Sequence, residues 1–78
     1  MDILVKFAGK KLSGSAQEIV RAMADSNMFT EGQLKGEYMQ GVSNRMLEIE
    51  GALISYESAE SFLTDLAHHG KISIFAIN

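Results

Sequence analysis

An apolar stripe between residues 34 and 49 is the feature that most restricts how this 78-residue chain can fold. Its members recur at spacings of three and four residues: Leu34, Tyr38, Met39, Val42, Met46 and Ile49. This spacing places them on one face of an α-helix, which turns once every 3.6 residues. Thr30 and Gln33 match a capping box at the start, and Gly51 matches the glycine that ends many helices. We therefore predict a long helix from Thr30 to Gly51, against which the rest of the chain packs.

Two shorter helices are indicated by capping signals followed by apolar stripes. Ser15 and Glu18 form a capping box, which predicts a helix from about Ala16 to Ser26 with Asn27 as its cap. Its apolar face comprises Ala16, Ile19, Val20 and Met23. Ser58 is the expected cap of a third helix, which Gly70 ends. The apolar face of that helix comprises Ala59, Phe62, Leu63, Leu66 and Ala67.

The two ends of the sequence have the alternating pattern of β-strands. Residues 2–7 form a first strand, residues 8–10 turn the chain, and residues 11–13 return as a second strand. Residues 71–77 form a last strand that pairs with the first, and residues 52–56 are a further short β-prone stretch. We predict one α+β domain over residues 1–78. Its small, mainly antiparallel sheet, built from the N-terminal hairpin and the C-terminal strand, packs against three helices.

Composition excludes several classes of protein. The chain contains no cysteine, so neither disulfides nor thiolate zinc sites are available, which fits a reducing compartment. No apolar run reaches the length of a membrane span, and no signal peptide is evident, so we expect a cytoplasmic protein without membrane contact. The formal net charge of −3 argues against a general binder of nucleic acid.

No catalytic, cofactor or metal signature stands out in the sequence. His68 and His69 are adjacent, so on a helix they point about 100° apart, and we expect them to cap carbonyls at the helix end. Asp65 and His69 share a helix face but supply only two ligands, whereas zinc sites need three or four. The nucleophile-elbow, dinucleotide and P-loop motifs are absent. We therefore predict a non-enzymatic protein without cofactors.

Surplus apolar and acidic side chains indicate a protein interface instead. The last strand carries Phe75 and Ile77 on its second face, as expected of a strand covered on both sides. Residues 46–78 have five acidic residues against Lys71, a net charge of −4. The acidic candidates for an interface are Glu48, Glu50, Glu57 and Glu60. The leading hypothesis is a small interaction module or accessory protein that binds a protein partner or a second copy of itself.

Two alternatives remain open. The first two helices resemble a helix-turn-helix, which would make the protein a DNA-binding transcriptional regulator. The start of the second helix would then enter the major groove with Glu31, Gln33, Lys35 and Glu37. The two glutamates argue against this hypothesis, because the DNA phosphates would repel them. The other alternative is an acidic inhibitor of a nucleic-acid-binding protein, which occupies a basic site through residues 48–65.

The N-terminal half also resembles a group of small bacterial and mobile-element proteins of uncharacterised function. The resemblance rests on residues 5–7, Gly9, Leu12, residues 14–15, residues 18–20, Met23 and the pair Glu37-Tyr38. Such proteins begin with a short β-hairpin followed by a capped helix containing Glu-Ile-Val. The resemblance implies the same α+β order of elements. It implies no site residue, because that family has no established activity.

Overall fold

The computed structural model describes residues 2–7, 9–26 and 37–76 of the protein. Its elements, in chain order, are β1 (Ile3–Phe7), β2 (Lys10–Gly14), α1 (Ala16–Asp25), α2 (Tyr38–Glu50), α3 (Ala59–His68) and β3 (Ser73–Ala76). The strands form one antiparallel sheet in the order β2-β1-β3. The predicted α+β class, the hairpin and the pairing of the last strand with the first are all confirmed.

The two faces of the sheet differ in what covers them. On the inner face Val5 lies opposite Leu12 of β2 and Ile74 of β3, and it is fully buried in the core beneath the helices. The next residues along the strands point the other way, because successive side chains of a strand alternate between faces. That alternation places Lys6 and Phe75 on the opposite face, which we call the outer face, and both are exposed.

Helix α1 begins at the predicted capping box. The backbone N–H of Glu18 donates to Oγ of Ser15 at 3.2 Å, and the N–H of Ser15 donates to Oε1 of Glu18 at 2.9 Å. Ser26 is the C-cap, whereas Asn27, the expected cap, lies outside the described residues. The buried side chains are the four that the stripe predicted. The capping box therefore predicts where this helix begins, and the apolar stripe predicts which of its faces is buried.

Helix α3 lies at the centre of the core. Ser58 caps its start by accepting a hydrogen bond from the N–H of Ser61 at 3.1 Å. Gly70, at a φ of 74°, ends the helix in a Schellman motif. The N–H of Lys71 donates to the carbonyl of Leu66 at 2.8 Å, closing that motif. Its side chains Phe62, Leu63 and Leu66 are almost fully buried, and the helix contacts both α1 and β3.

The prediction of one unbroken helix from Thr30 to Gly51 is wrong at Glu37. Helix α2 begins only at Tyr38, because Glu37 is extended, with φ −76° and ψ 135°, and serves as the N-cap. The predicted Thr30–Gln33 box lies outside the described residues. The predicted end is confirmed, because Gly51 has a φ of 67°.

Two further expectations about this region are corrected. Ile49 leaves the buried stripe and is 64% exposed, so Val42, Ser43 and Met46 form the buried face of α2. Residues 52–56 are not a strand: in the described part of the chain they pair with no other strand. None of the helices described is long and apolar enough to cross a membrane.

Candidate functional site

Among the described residues, a candidate site is the groove between the second half of α2 and the segment that follows it. We call this the α2 groove and residues 51–57 the linker. The groove has a volume of about 710 Å³. Its apolar lining comes mainly from Leu47 on the helix and from Leu53 and Tyr56 on the linker. Two elements that are adjacent in sequence therefore build one concave surface.

Exposed apolar side chains are concentrated in this groove. The large apolar residues that are exposed within the described chain are Leu47 (49%), Ile49 (64%), Leu53 (74%), Tyr56 (44%) and Phe75 (47%). Three of these five line the α2 groove. Single exposed leucines are common on protein surfaces, but several around one concavity are typical of a binding site.

Side-chain hydrogen bonds hold the linker in place. The hydroxyl of Ser43, buried in α2, donates to the carbonyl of Ile54. From the other side, the N–H of Ser55 donates to Oδ2 of Asp65 in α3 at 2.8 Å. Ala52 and Ile54 are buried, whereas Leu53 between them is exposed. The linker is thus fixed at two neighbouring residues, with Leu53 presented outward.

The charged residues in the groove lining are acidic. They are Glu57, which is exposed, and Asp65, whose carboxylate accepts the hydrogen bond from Ser55. The remaining lining, Ser43, Asn44, Ile54 and Ser55, is uncharged. The groove therefore combines apolar contact surface with negative charge at one side, a combination that suits a cationic ligand.

The four predicted acidic interface residues are distributed over different surroundings. Glu57 lines the α2 groove, and Glu48 is exposed on α2. Glu50 forms an ion pair with Lys71. Glu60 lines a separate depression of about 350 Å³, beside the start of α1. The structure therefore brings only Glu57 of this group into the groove.

The predicted interface on the last strand is described in part. Phe75 lies on the outer face and is exposed, as expected. The Nζ atom of Lys6 lies 5.2 Å from the centroid of its ring, in cation–π geometry. Ile77, the second predicted residue, lies outside the described residues. Phe75 is thus accessible, with a cation beside its ring.

Among the described residues, the histidines and the half-buried Tyr38 form no recognisable chemical site. His68 and His69 are exposed, and their rings meet edge-on at 5.7 Å. Over residues 2–7, 9–26 and 37–76, no group of three or more histidine, aspartate or glutamate side chains could hold a metal ion. Burial raises the pKa of Tyr38 above its ordinary value of 10, and its ring packs edge-on against Phe62 at 6.1 Å. Tyr38 is therefore a protonated core residue at neutral pH.

Sequence reasoning missed the three apolar residues of the groove. Leu47 lies next to Met46 of the stripe but off it, and a lone leucine there gives no signal. Leu53 and Tyr56 fell in a predicted strand, where they would pack against neighbouring strands. The exposure of Leu53 between buried Ala52 and Ile54 is visible only in the structure, because all three residues are apolar and the sequence does not separate two faces.

Comparison of the chain with family models, with curated proteins and with solved structures gives no match. The resemblance to small bacterial and mobile-element proteins therefore stays a prediction, and the functional argument rests on the geometry of the chain.

Proposed function

We propose that the protein is a non-enzymatic binding module whose α2 groove holds a short peptide segment of a partner protein. The segment has one or two apolar side chains flanked by lysine or arginine. The observation that carries this proposal is the grouping of Leu47, Leu53 and Tyr56 around one concave surface.

Burial of these side chains supplies the favourable free energy. Complete burial of a leucine side chain stabilises by about 1.5–3 kcal/mol relative to full exposure. Leu53 is 74% exposed in the free protein, so most of that free energy is available for binding. Leu47 and Tyr56, each about half exposed, add smaller contributions, and the aromatic ring supplies a large rigid contact.

Charge complementarity selects the flanking residues of the ligand. Glu57 and Asp65 give the lining a negative charge, and residues 46–78 as a whole carry −4. Lysine or arginine residues on either side of the apolar residue in the ligand would be attracted to this region. They would form charge-assisted hydrogen bonds at the rim of the groove. A partner segment rich in acids would be repelled.

The fixed linker lowers the cost of binding. Its two side-chain hydrogen bonds, from Ser43 and to Asp65, order the backbone before a ligand arrives. A surface that is already ordered loses less conformational entropy on association. The groove is therefore suited to a short ligand, whose few contacts could not offset the entropic cost of ordering a flexible linker.

Selection from a random peptide library tests the function and the ligand chemistry together. We expect the selected peptides to share an apolar residue flanked by lysine or arginine, and fluorescence anisotropy to show at least tenfold weaker binding by Leu53→Ser. Ile49→Ser is the matched control, because Ile49 is equally apolar and exposed on α2 but does not line the groove. Selected peptides that are acidic, or that bind both variants equally, would refute the proposal.

The earlier alternatives receive less support. In the helix-turn-helix hypothesis Glu37 lies within the second helix, whereas here it is an extended N-cap, and α1 packs against α3. Self-association through Phe75 and Ile77 stays a prediction, which sedimentation equilibrium of the F75E/I77E variant would test. Because the chain lacks cysteine, we propose that the module acts in the cytoplasm.

A further inference from the structure

We propose that the outer face of the sheet is a second binding surface, which takes single-stranded nucleic acid. Lys6 and Lys11 on this face would contact its phosphates together with Lys10, which lies opposite Phe7 at the end of the hairpin and lines the same depression, and Phe75 would stack on a base. This surface is separate from the α2 groove, and the inference does not depend on the groove.

The register of the hairpin places like charges against each other. Lys6 of β1 lies directly opposite Lys11 of β2, and both are exposed. Like charges directly opposite each other on neighbouring strands destabilise a sheet. Among the residues described, no carboxylate forms an ion pair with Lys6, Lys10 or Lys11. A bound anion would relieve this repulsion, which no ion pair within residues 2–7, 9–26 and 37–76 does.

The three lysines share one concave surface. A depression of about 260 Å³ is lined by these side chains together with Phe7, Gly9 and Ser73. Ser73 lies opposite Lys6 on β3, so the cross-strand row Lys11–Lys6–Ser73 runs over the whole sheet. A backbone of phosphates could follow this row and meet a cation or a hydroxyl on each strand.

An aromatic ring lies in the adjacent row of the same face. Phe75 is opposite Leu4, two residues from the lysine row on both strands, and it is 47% exposed. The Nζ atom of Lys6 lies 5.2 Å from the ring centroid, so cation and ring can act on neighbouring parts of one ligand. Unpaired bases stack on such rings in many proteins that bind single strands, with little dependence on sequence.

Separation of charge explains how an acidic protein can carry this surface. The total charge is −3, but residues 1–15 carry +2 and residues 46–78 carry −4. The argument from total charge against nucleic-acid binding therefore does not apply to the hairpin. Three phosphate contacts on a single strand give a salt dependence with a slope of about −2, so a fourfold rise in salt weakens binding about 20-fold.

Fluorescence anisotropy with a labelled single-stranded oligonucleotide tests the proposal. We expect binding at low salt, a loss of about 20-fold when salt rises fourfold, and at least tenfold weaker binding by the double variant K10Q/K11Q. Lys71→Gln is the matched control, because Lys71 is already paired with Glu50 and should leave binding within about twofold. Phe75→Ser should weaken binding of the oligonucleotide, whereas Phe75→Tyr, which keeps an aromatic ring, should bind as tightly as the wild-type protein. Circular dichroism would check that each variant is folded.

Three outcomes would overturn the proposal. One is no binding at low salt, and another is an equal loss of binding in Lys71→Gln and K10Q/K11Q. The third is equally tight binding of polyglutamate or of duplex DNA, which would identify the surface as a site for acidic protein or for phosphates without base stacking.

Discussion

Replacement of Ser43 by alanine is the most informative single test of how the linker is held. Ser43 is buried on α2, and its hydroxyl donates to the carbonyl of Ile54 in the linker. Alanine has no hydroxyl, so the carbonyl of Ile54 loses the hydrogen bond that Ser43 donates to it. The substitution changes little in volume, so loss of the hydrogen bond dominates the expected effect.

The magnitude follows from two opposing contributions. Leaving a buried acceptor without its partner costs about 1–3 kcal/mol. Alanine is the better helix former, which returns up to about 0.5 kcal/mol. We therefore expect Ser43→Ala to lower the free energy of unfolding by about 1–2 kcal/mol. In a domain of this size, each kcal/mol lowers Tm by about 4–8 °C.

Guanidinium and thermal unfolding followed by circular dichroism would measure this loss. Asn44→Ala is the matched control, since it makes the same gain in helix propensity at an exposed neighbour and should not destabilise the protein. Binding of a selected peptide should also weaken in Ser43→Ala, because the linker presents Leu53 and Tyr56. If Ser43→Ala were as stable as the wild-type protein, the linker would not depend on this hydrogen bond.

Four further predictions concern caps and charges. Ser15→Ala should cost about 1 kcal/mol in urea unfolding, as loss of an N-cap usually does. Hydrogen bonds from Ser15, chiefly from its backbone N–H, hold the pKa of Glu18 below the ordinary 4.5. The separate stabilisation from the ionised Glu18 is therefore present above pH 4.5 and is lost as the pH falls through the lowered pKa; Glu18→Gln should flatten that part of the stability–pH profile. Gly70→Ala should lose about 1–2 kcal/mol to backbone strain alone, because nothing lies within 4 Å of the added Cβ. Lys71→Met should change stability by less than about 1 kcal/mol.

Local signals in the sequence predicted local structure well. The Ser15–Glu18 box, the Ser58 cap and the glycines at 51 and 70 each depend on a few adjacent residues, and each appears where expected. The alternating strands also gave the correct faces for Val5 and Phe75. These features need no knowledge of what lies across the molecule.

Features that depend on distant contacts were not predictable in the same way. The linker has β-prone residues, but hydrogen bonds from Ser43 and to Asp65 take the place of strand pairing. Both bonds join residues ten or more positions apart. The α2 groove arises from this arrangement, so the sequence predicted acidic interface residues but not the apolar surface beside Glu57.

The central position of β1 in the sheet has a consequence for the order of folding. Its hairpin with β2 closes across a short turn, whereas its pairing with β3 joins residues nearly the whole chain apart, with Ile3 opposite Ala76. Closing so long a loop carries a large entropic cost before any contact is gained, so such pairings form late and slow folding. During synthesis, the inner face of the hairpin stays without its β3 neighbour until Ser73–Ala76 has left the ribosome. We therefore expect nascent chains of this protein to keep the β3 edge of β1 unpaired longest, and chaperone contact to concentrate there.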